Sequence, residues 1–405
     1  MTDCQEALLK LLSKALFNRN REVSVADSVA LLNEAKHQAV VQLAFSALDT
    51  DRLPEDAFQQ WQKYTMQCAS KNLRVIHKHA LLHKWLSAAG IPYVILKGCA
   101  SAAYYPQPDA RAMGDVDFLV AEEDLERAGK VLEEHGLKPW EFEHISHIVY
   151  QTKSANGINL EMHFNLAGLP AGESGELVRA CFRDVYTAAS VRPIGDGQAV
   201  LPSPFHHGLV LLLHTCHHMT GEGIGLRHLC DWAVFANRFS DDEFRSLFEQ
   251  PLKRIGLWKF AQTLTRVSIK YLGASEKDWA VCDERLADSL MEDILLGGNF
   301  GKKDNNRGMQ TLLISDRGKN GVGRTGMLHQ LVRSTNAIIL LNWPKARKYK
   351  LLLPVGWIYW GFRRMLRELT GKRKKSDVKQ VLTGAASRRK LYQQLGLYDR
   401  ENQAE

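Results

Sequence analysis

Ile95-Leu-Lys-Gly-Cys-Ala-Ser-Ala-Ala-Tyr-Tyr-Pro-Gln-Pro-Asp-Ala-Arg-Ala-Met-Gly-Asp-Val-Asp-Phe-Leu-Val120 is the stretch whose reading decides the fold. An apolar run ends in Lys97-Gly98, and beyond a loop two aspartates, Asp115 and Asp117, stand one residue apart among Val116, Phe118, Leu119 and Val120. In a strand, side chains at i and i+2 point to the same side, so the pattern predicts two carboxylates aimed at one spot from a rigid element. Like charges held that close repel, and a cation between them relieves the repulsion. Mg²⁺ suits the role because it takes carboxylate oxygens together with substrate phosphates, with Mn²⁺ as the alternative. The competing reading is a strand with a solvated polar face, or a turn that carries acids, which any lone Asp-x-Asp allows.

A third acid supports the metal reading. Ile158-Asn-Leu-Glu-Met-His-Phe164 alternates as a half-buried strand does and sets Glu161 between Leu160 and Met162. Paired beside the first strand, Glu161 completes a triad with Asp115 and Asp117; taken alone it is an ordinary exposed strand residue. Three carboxylates can hold two metals, one activating an attacking oxygen and one neutralising a triphosphate and its leaving group.

The intervening loop offers phosphate chemistry. Gly98 lets backbone approach a ligand closely, and a following helix N-terminus presents free N–H groups. Lys97 can meet a phosphate as a point charge and Arg111 can grip one with its planar fork. Either can instead be a salt-bridge partner for the aspartates. Tyr104, Tyr105 and Pro106 are expected to pack the loop rather than stack on a base.

Taken together, Leu96-Lys-Gly98, Tyr104-Tyr-Pro106, Arg111-Ala-Met-Gly114, Asp115-Val-Asp-Phe-Leu-Val120 and Leu160-Glu-Met-His163 resemble the bacterial uncharacterised nucleotidyltransferase family of the DNA polymerase β-like superfamily, with Lys-Gly in place of the usual Gly-Ser. The resemblance continues more loosely into His214-x-x-His217-His218 and Arg227-x-x-x-Asp231-Trp232, spanning roughly residues 30 to 240. It implies an α+β fold, a small mixed sheet with flanking helices, and metal-binding acids at Asp115, Asp117 and Glu161, the third being Glu rather than Asp. It implies NTP as substrate and transfer of an NMP to an acceptor hydroxyl with release of pyrophosphate. A small molecule or sugar is the expected acceptor. Abortive-infection-type toxin nucleotidyltransferases share a similar Lys-Gly, Arg and Asp-x-Asp order, so transfer to tRNA or protein is the alternative. A catalytically silent nucleotide-binding or membrane-tethering module is the alternative of another class.

Composition agrees with a soluble enzyme. The 405 residues suggest two to three domains, and 45% hydrophobic with 24% charged residues can bury substantial cores. The start, Met1-Thr-Asp-Cys-Gln-Glu, lacks a basic region followed by an apolar one, so secretion is not expected. Seven cysteines without paired spacing or Cys-x-x-Cys read as reduced thiols of a cytoplasmic protein. Cys99, beside the loop, reads as a small buried residue.

Four regions are expected: a helical 1–90, a nucleotidyltransferase core at 91–203, a helical domain at 204–300 packed on that core, and a basic, partly helical 301–405 with a mobile tail. Phe58 to Ala88 is rich in helix formers, with Arg74, His77, Lys78, His79, His83 and Lys84 read as a solvated face. In the core, strands are expected at Pro92–Leu96, Asp115–Val120, Ser146–Lys153 and Gly157–Phe164, with helices over Cys99–Tyr105 and Glu122–Gly136. His214 and His218 share a helix face, as do Arg227 and Asp231, a natural ion pair. The histidines read as core or capping residues in the absence of His-Glu-x-x-His; the alternatives are metal ligation, or His214 and Arg227 lining a nucleotide or acceptor pocket.

From Trp343 to Lys390 there are fifteen Lys and Arg against Glu368 and Asp377, a local charge of +13 in a chain of +8. Between the basic clusters runs Leu351-Leu-Leu-Pro-Val-Gly-Trp-Ile-Tyr-Trp-Gly-Phe362, short of the ~20 apolar residues a bilayer span takes. Three uses stay open: a helix docking its aromatics on the protein with a solvated basic face, an anionic surface at the inner membrane, or RNA phosphates. Lys372-Arg-Lys-Lys-Ser-Asp reads as a mobile linker.

Overall fold

The computed structural model describes residues 1–19, 23, 27–140, 146–152, 157–314, 326–370 and 377–400. Of the linker expected from Lys372 to Asp377, residues 372–376 lie outside the described residues, as does Lys153 at the end of one expected strand. The architecture is α+β, with one five-stranded mixed sheet set among helices.

The longest helix, Glu55–Ala88, starts after Pro54 with two acids in its first turn, which suits the positive end of the helix dipole. From Asn72 onward its buried residues, Asn72, Val75, His79, Leu82 and Leu86, recur three or four apart and form one face against the sheet. Arg74, His77 and Lys84 are exposed as expected, whereas His79 is fully buried.

The sheet comprises β1 (Tyr93–Ile95), β2 (Val116–Val120), β3 (Lys138–Pro139), β4 (His147–Gln151) and β5 (Leu160–His163), in the order β1-β2-β5-β4-β3. β2 runs antiparallel to β1 and parallel to β5, with Asp117 directly across from Glu161 and Leu119 across from His163. Period-2 alternation then separates two faces. Val116, Phe118, Leu160 and Met162 turn into a core shared with Val75, Leu82 and Leu86 of the long helix. Val94, Leu96 and Leu119 turn the other way, into a second and larger core.

That second core unites distant parts of the chain. The N-terminal helix Asp3–Phe17 contributes Leu8, Leu11 and Leu12, and the helices Pro204–Thr220 and Leu226–Ala236 contribute Leu209, Leu212, Leu229 and Trp232. The last helix, Val378–Leu395, returns Leu391, Tyr392 and Leu395 to it. Residues 1–90 therefore divide between the two cores, with Trp61 in the larger and Val75 in the smaller. A hairpin of β6 (Ser190–Ile194) and β7 (Gly197–Leu201), for which no strand was expected, adds Ala199 and Leu201 to the smaller core. Among the described residues, no helix is long and apolar enough to cross a membrane.

The basic C-terminal stretch is not uniformly solvated. Arg388 is buried and donates to the carbonyls of Met219 and Gly221 at 3.1 and 3.0 Å and to Gln310 Oε1 at 3.1 Å. It fastens the last helix to the end of Pro204–Thr220, where unpaired carbonyls need donors.

Candidate active site

A cleft of about 520 Å³ opens between the Asp117 face of the sheet and the helices that follow it. Asp115, Asp117, Glu161, Lys97, Gly98 and Arg111 all line it. The remaining wall adds three more lysines, Lys36, Lys71 and Lys302, together with Arg227 and Phe300. Asp117 and Glu161 come from adjacent strands and Asp115 from the bend just before β2, one residue short of the strand start expected there, while the cations come from the helices and loops around them, so the two charge types meet across one space.

Asp117 is buried and doubly held: Lys97 Nζ lies 2.8 Å from its Oδ1, and His163 Nε2 lies 3.1 Å from the same oxygen. Burial alone would raise its pKa, but the Lys97 charge and the His163 hydrogen bond overcome that and hold it well below the usual carboxylate range. His163 is pushed the other way. Burial opposes its charge, while the hydrogen bond to Asp117 and the Glu161 carboxylate, whose Oε2 lies 3.7 Å from Nε2, raise its pKa. Asp115 sits at the mouth. Although the residue as a whole is exposed, its carboxyl is partly enclosed by the cleft, and that enclosure followed by the charges of Asp117 and Glu161 pushes its pKa up to about 6. Lys71 and Lys97 offset the repulsion only in part.

Gly98 has a structural reason to be glycine besides ligand approach. Its φ is +65°, a conformation L side chains rarely adopt, and an added Cβ would lie 3.2 Å from His79 Nε2 beneath it. Cys99 next to it is buried and opens a helix of four residues, Cys99–Ala102, shorter than expected.

Arg111 is engaged inside the protein. Its Nε and Nη2 donate to the two oxygens of Asp231 at 2.7 and 2.6 Å, a bidentate pair joined by the Tyr105 hydroxyl at 2.7 Å from Oδ1. Asp231 therefore pairs with Arg111 of the loop, not with Arg227 one turn away on its own helix. The reason is direction: Asp231 faces the loop across the larger core, and the fork geometry of Arg111 matches both oxygens. Tyr105 packs and bonds in the loop, as its sequence position suggested. Among the described residues, no carboxylate lies within ion-pair distance of Arg227, whose guanidinium, 5.5 Å from the Phe300 ring, is destabilised first by burial and then by the Arg111 charge.

The histidines also meet in the cleft. His214, His218 and His228 offer nitrogens all within 4.8 Å of one another. All three are held neutral, by burial first and then by each other and nearby cations. The Gly225 amide donates to His228 Nδ1 at 3.4 Å, which favours the ring proton on Nε2, an atom with no hydrogen-bond partner among the described residues.

Several residues at the site carried no role in the sequence reading. His163 stood inside a quoted motif, and the i+2 rule that aligned Asp115 with Asp117 puts it on the Glu161 face. Asn72 had no signal. Its Nδ2 donates to the carbonyls of Asp109 and Arg111, both at 2.8 Å, and its Oδ1 accepts from the Met113 amide at 2.8 Å, so it ties the loop to the long helix. Lys36, Lys302 and Phe300 come from remote segments. Phe300 has a left-handed φ of +57°, a strained choice for a bulky residue, and its ring lies 4.7 Å from that of His218.

A protein-family model described as uncharacterised nucleotidyltransferase matches residues 24–273, more than half of the chain, and the chain belongs to that family. Among solved structures, an antigenic nucleotidyltransferase-like protein from Paracoccidioides brasiliensis is similar over 51% of this chain and 96% of its own, at 16% identity and a TM-score of 0.34. No curated protein matches the chain.

Proposed function

We propose that the protein is a metal-dependent nucleotidyltransferase that moves an NMP from an NTP to an acceptor hydroxyl, with a small molecule or sugar as acceptor. One observation carries this reading: Asp117 and Glu161 on adjacent strands, with Asp115 immediately before the first of them, line a cleft that Lys36, Lys71, Lys97, Arg227 and Lys302 also line. Acids alone would repel a triphosphate and cations alone would not hold a divalent ion; the pair of features suits an NTP bound with its metal. The three carboxylates offer oxygen donors that suit Mg²⁺ or Mn²⁺, and the pKa of Asp115, raised by burial first and then by the charges of Asp117 and Glu161, includes a repulsion that a cation relieves.

Asp115, Asp117 and Glu161 would hold the ion, which when bound supplies neutralising charge for the triphosphate and its leaving group. Lys97, Lys71 and Arg227 draw the triphosphate into the cleft by charge, and the Lys97-Gly98 turn lets backbone come close to it. The acceptor oxygen attacks the α-phosphorus in line. The new O–P bond forms as the bond to the β-phosphate oxygen breaks, pyrophosphate leaves with that electron pair, and Glu161, unless it serves as a ligand, takes the hydroxyl proton.

A second reading has its own support. Lys97 Nζ sits 2.8 Å from Asp117 and neutralises that carboxylate without a metal, which suits a module that binds nucleotide without turning it over. One experiment separates the two: transfer of label from α-phosphate-radiolabelled ATP, GTP, CTP and UTP in Mg²⁺ with cell extract as acceptor, comparing the native chain with Asp115→Ala/Asp117→Ala. Label on an acceptor only with the native chain is the expected result, and nuclease or protease sensitivity then sorts tRNA and protein from small molecules. Nucleotide binding with no transfer from any of the four would replace the transferase with the silent module.

A further inference from the structure

We infer that the helical pair formed by Met327–Asn342 and Leu353–Leu369 is a docking surface for an anionic lipid bilayer, independent of the chemistry in the cleft. The two helices settle one another's orientation. Gly356 approaches Ile339 so closely that a Cβ on it would lie 2.5 Å from Ile339 Cγ2, and Trp357 Nε1 donates to Asn336 Oδ1 at 2.8 Å. With that face of the second helix packed, its other face is left outward. There Val355, Ile358, Tyr359 and Phe362 are exposed at the i, i+3, i+4, i+7 spacing of a single helical stripe, continued by Leu366 and preceded by Leu351.

The exposure is concentrated. Of the 21 large hydrophobic residues exposed among the described residues, ten fall between 327 and 370. Leu351 is 93% exposed and Ile358 73%, values that no packing among the described residues accounts for. Isolated exposed apolar residues are ordinary, whereas a contiguous stripe marks a surface that something covers.

Charge says what covers it. Residues 326–370 hold eight Lys and Arg against Glu368 as the lone acid. Lys345, Lys348 and Lys350 are exposed in the turn that leads into the stripe, while Arg347 is used internally, donating to the carbonyls of Leu340 and Leu341. A second copy of so cationic a face would be repelled. An RNA would engage the lysines but has no use for Leu351, Val355 and Ile358. A bilayer rich in anionic headgroups matches both, seating the stripe at the acyl boundary and the lysines among the phosphates. The Leu353–Leu369 helix would lie in the interface plane, in keeping with its 17 residues and its one-sided pattern.

Co-sedimentation of the full chain with vesicles tests this, using pure phosphatidylcholine, phosphatidylcholine with phosphatidylglycerol, and rising salt. The native chain should partition onto the anionic vesicles and not the neutral ones, and salt should release it. Ile358→Glu/Phe362→Glu and Lys345→Glu/Lys348→Glu/Lys350→Glu should each lower partitioning by about tenfold or more. Both keep the native melting temperature, since the altered side chains are exposed. Undiminished partitioning of either variant, or equal binding to neutral vesicles, overturns the inference. So does binding of the apolar variant at native strength to a labelled RNA that strips the native chain from vesicles, which makes the surface an RNA site. A native dimer that Ile358→Glu/Phe362→Glu turns into a monomer, with no vesicle binding, would make it a self-association interface instead.

Discussion

Asp115 and Asp117 stand two residues apart with pKa values shifted in opposite directions: Lys97 and His163 both hold Asp117 low, while burial and then the charges of Asp117 and Glu161 raise Asp115. A metal held by Asp115, as proposed above, would compete with the proton that this carboxyl takes up at about pH 6. Above that value the carboxylate is free for a cation; below it each further pH unit should weaken Mg²⁺ binding by about tenfold. Titration calorimetry across pH 5 to 8 checks the slope, and Asp115→Asn should flatten it while weakening binding throughout. Gly98 is the other residue-scale test. Gly98→Ala forces an L residue to φ +65° with ψ −112°, a sparsely populated region, and crowds His79, which should cost about 1–3 kcal/mol in denaturant unfolding.

At the scale of elements, the loop from Lys97 to Asp115 is held from two sides. Asn72 pins it to the long helix with three hydrogen bonds, two of them buried, and Asp231 pins it to the Leu226–Ala236 helix through Arg111 and Tyr105. Asn72→Ala leaves two carbonyls and an amide without partners and should cost about 1–3 kcal/mol, with a raised KM for nucleotide because the loop lines the cleft. Asp231→Ala strands a buried guanidinium and should cost about 3–5 kcal/mol. The pair Arg111→Met/Asp231→Leu removes both charges and should recover most of that stability. Transfer activity of that double variant separates the two uses of Arg111: retained activity makes it a fastener of the loop, and lost activity in a stable protein makes it a ligand of the phosphates.

For the whole molecule, the cleft is a product of both cores, with its acids from the sheet and its cations in part from residues 36, 71, 227 and 302. A ligand that bridges them should stabilise the entire chain. At a hundredfold excess over Kd, NTP with Mg²⁺ should add about 2.7 kcal/mol to unfolding free energy, and chelation of the metal should remove most of it. Scanning calorimetry with and without EDTA reads the effect, and Asp115→Ala/Asp117→Ala should show little of it.

Much of this was legible in the chain itself. Strand alternation placed Asp117 and Glu161 on one face, and the two strands do lie side by side, because a period of two leaves no other way to bury Val116, Phe118, Leu160 and Met162 together. The long helix, the turn at Gly98 and the apolar, basic stretch near residue 350 follow equally from local pattern, since propensity, alternation and charge act over a few residues. What only the tertiary structure decided is which distant groups meet. Asp231 chose Arg111 over Arg227, His79 left the solvated face to lie under Gly98, Arg388 left the basic tail to close a helix end, and Lys36, Lys302 and Phe300 arrived at the cleft from remote segments. Such choices depend on the packing of the two cores, which sets distances between residues hundreds of positions apart. No local spacing carries that information, because a buried charge takes the partner that the packing brings within reach rather than the one nearest in sequence.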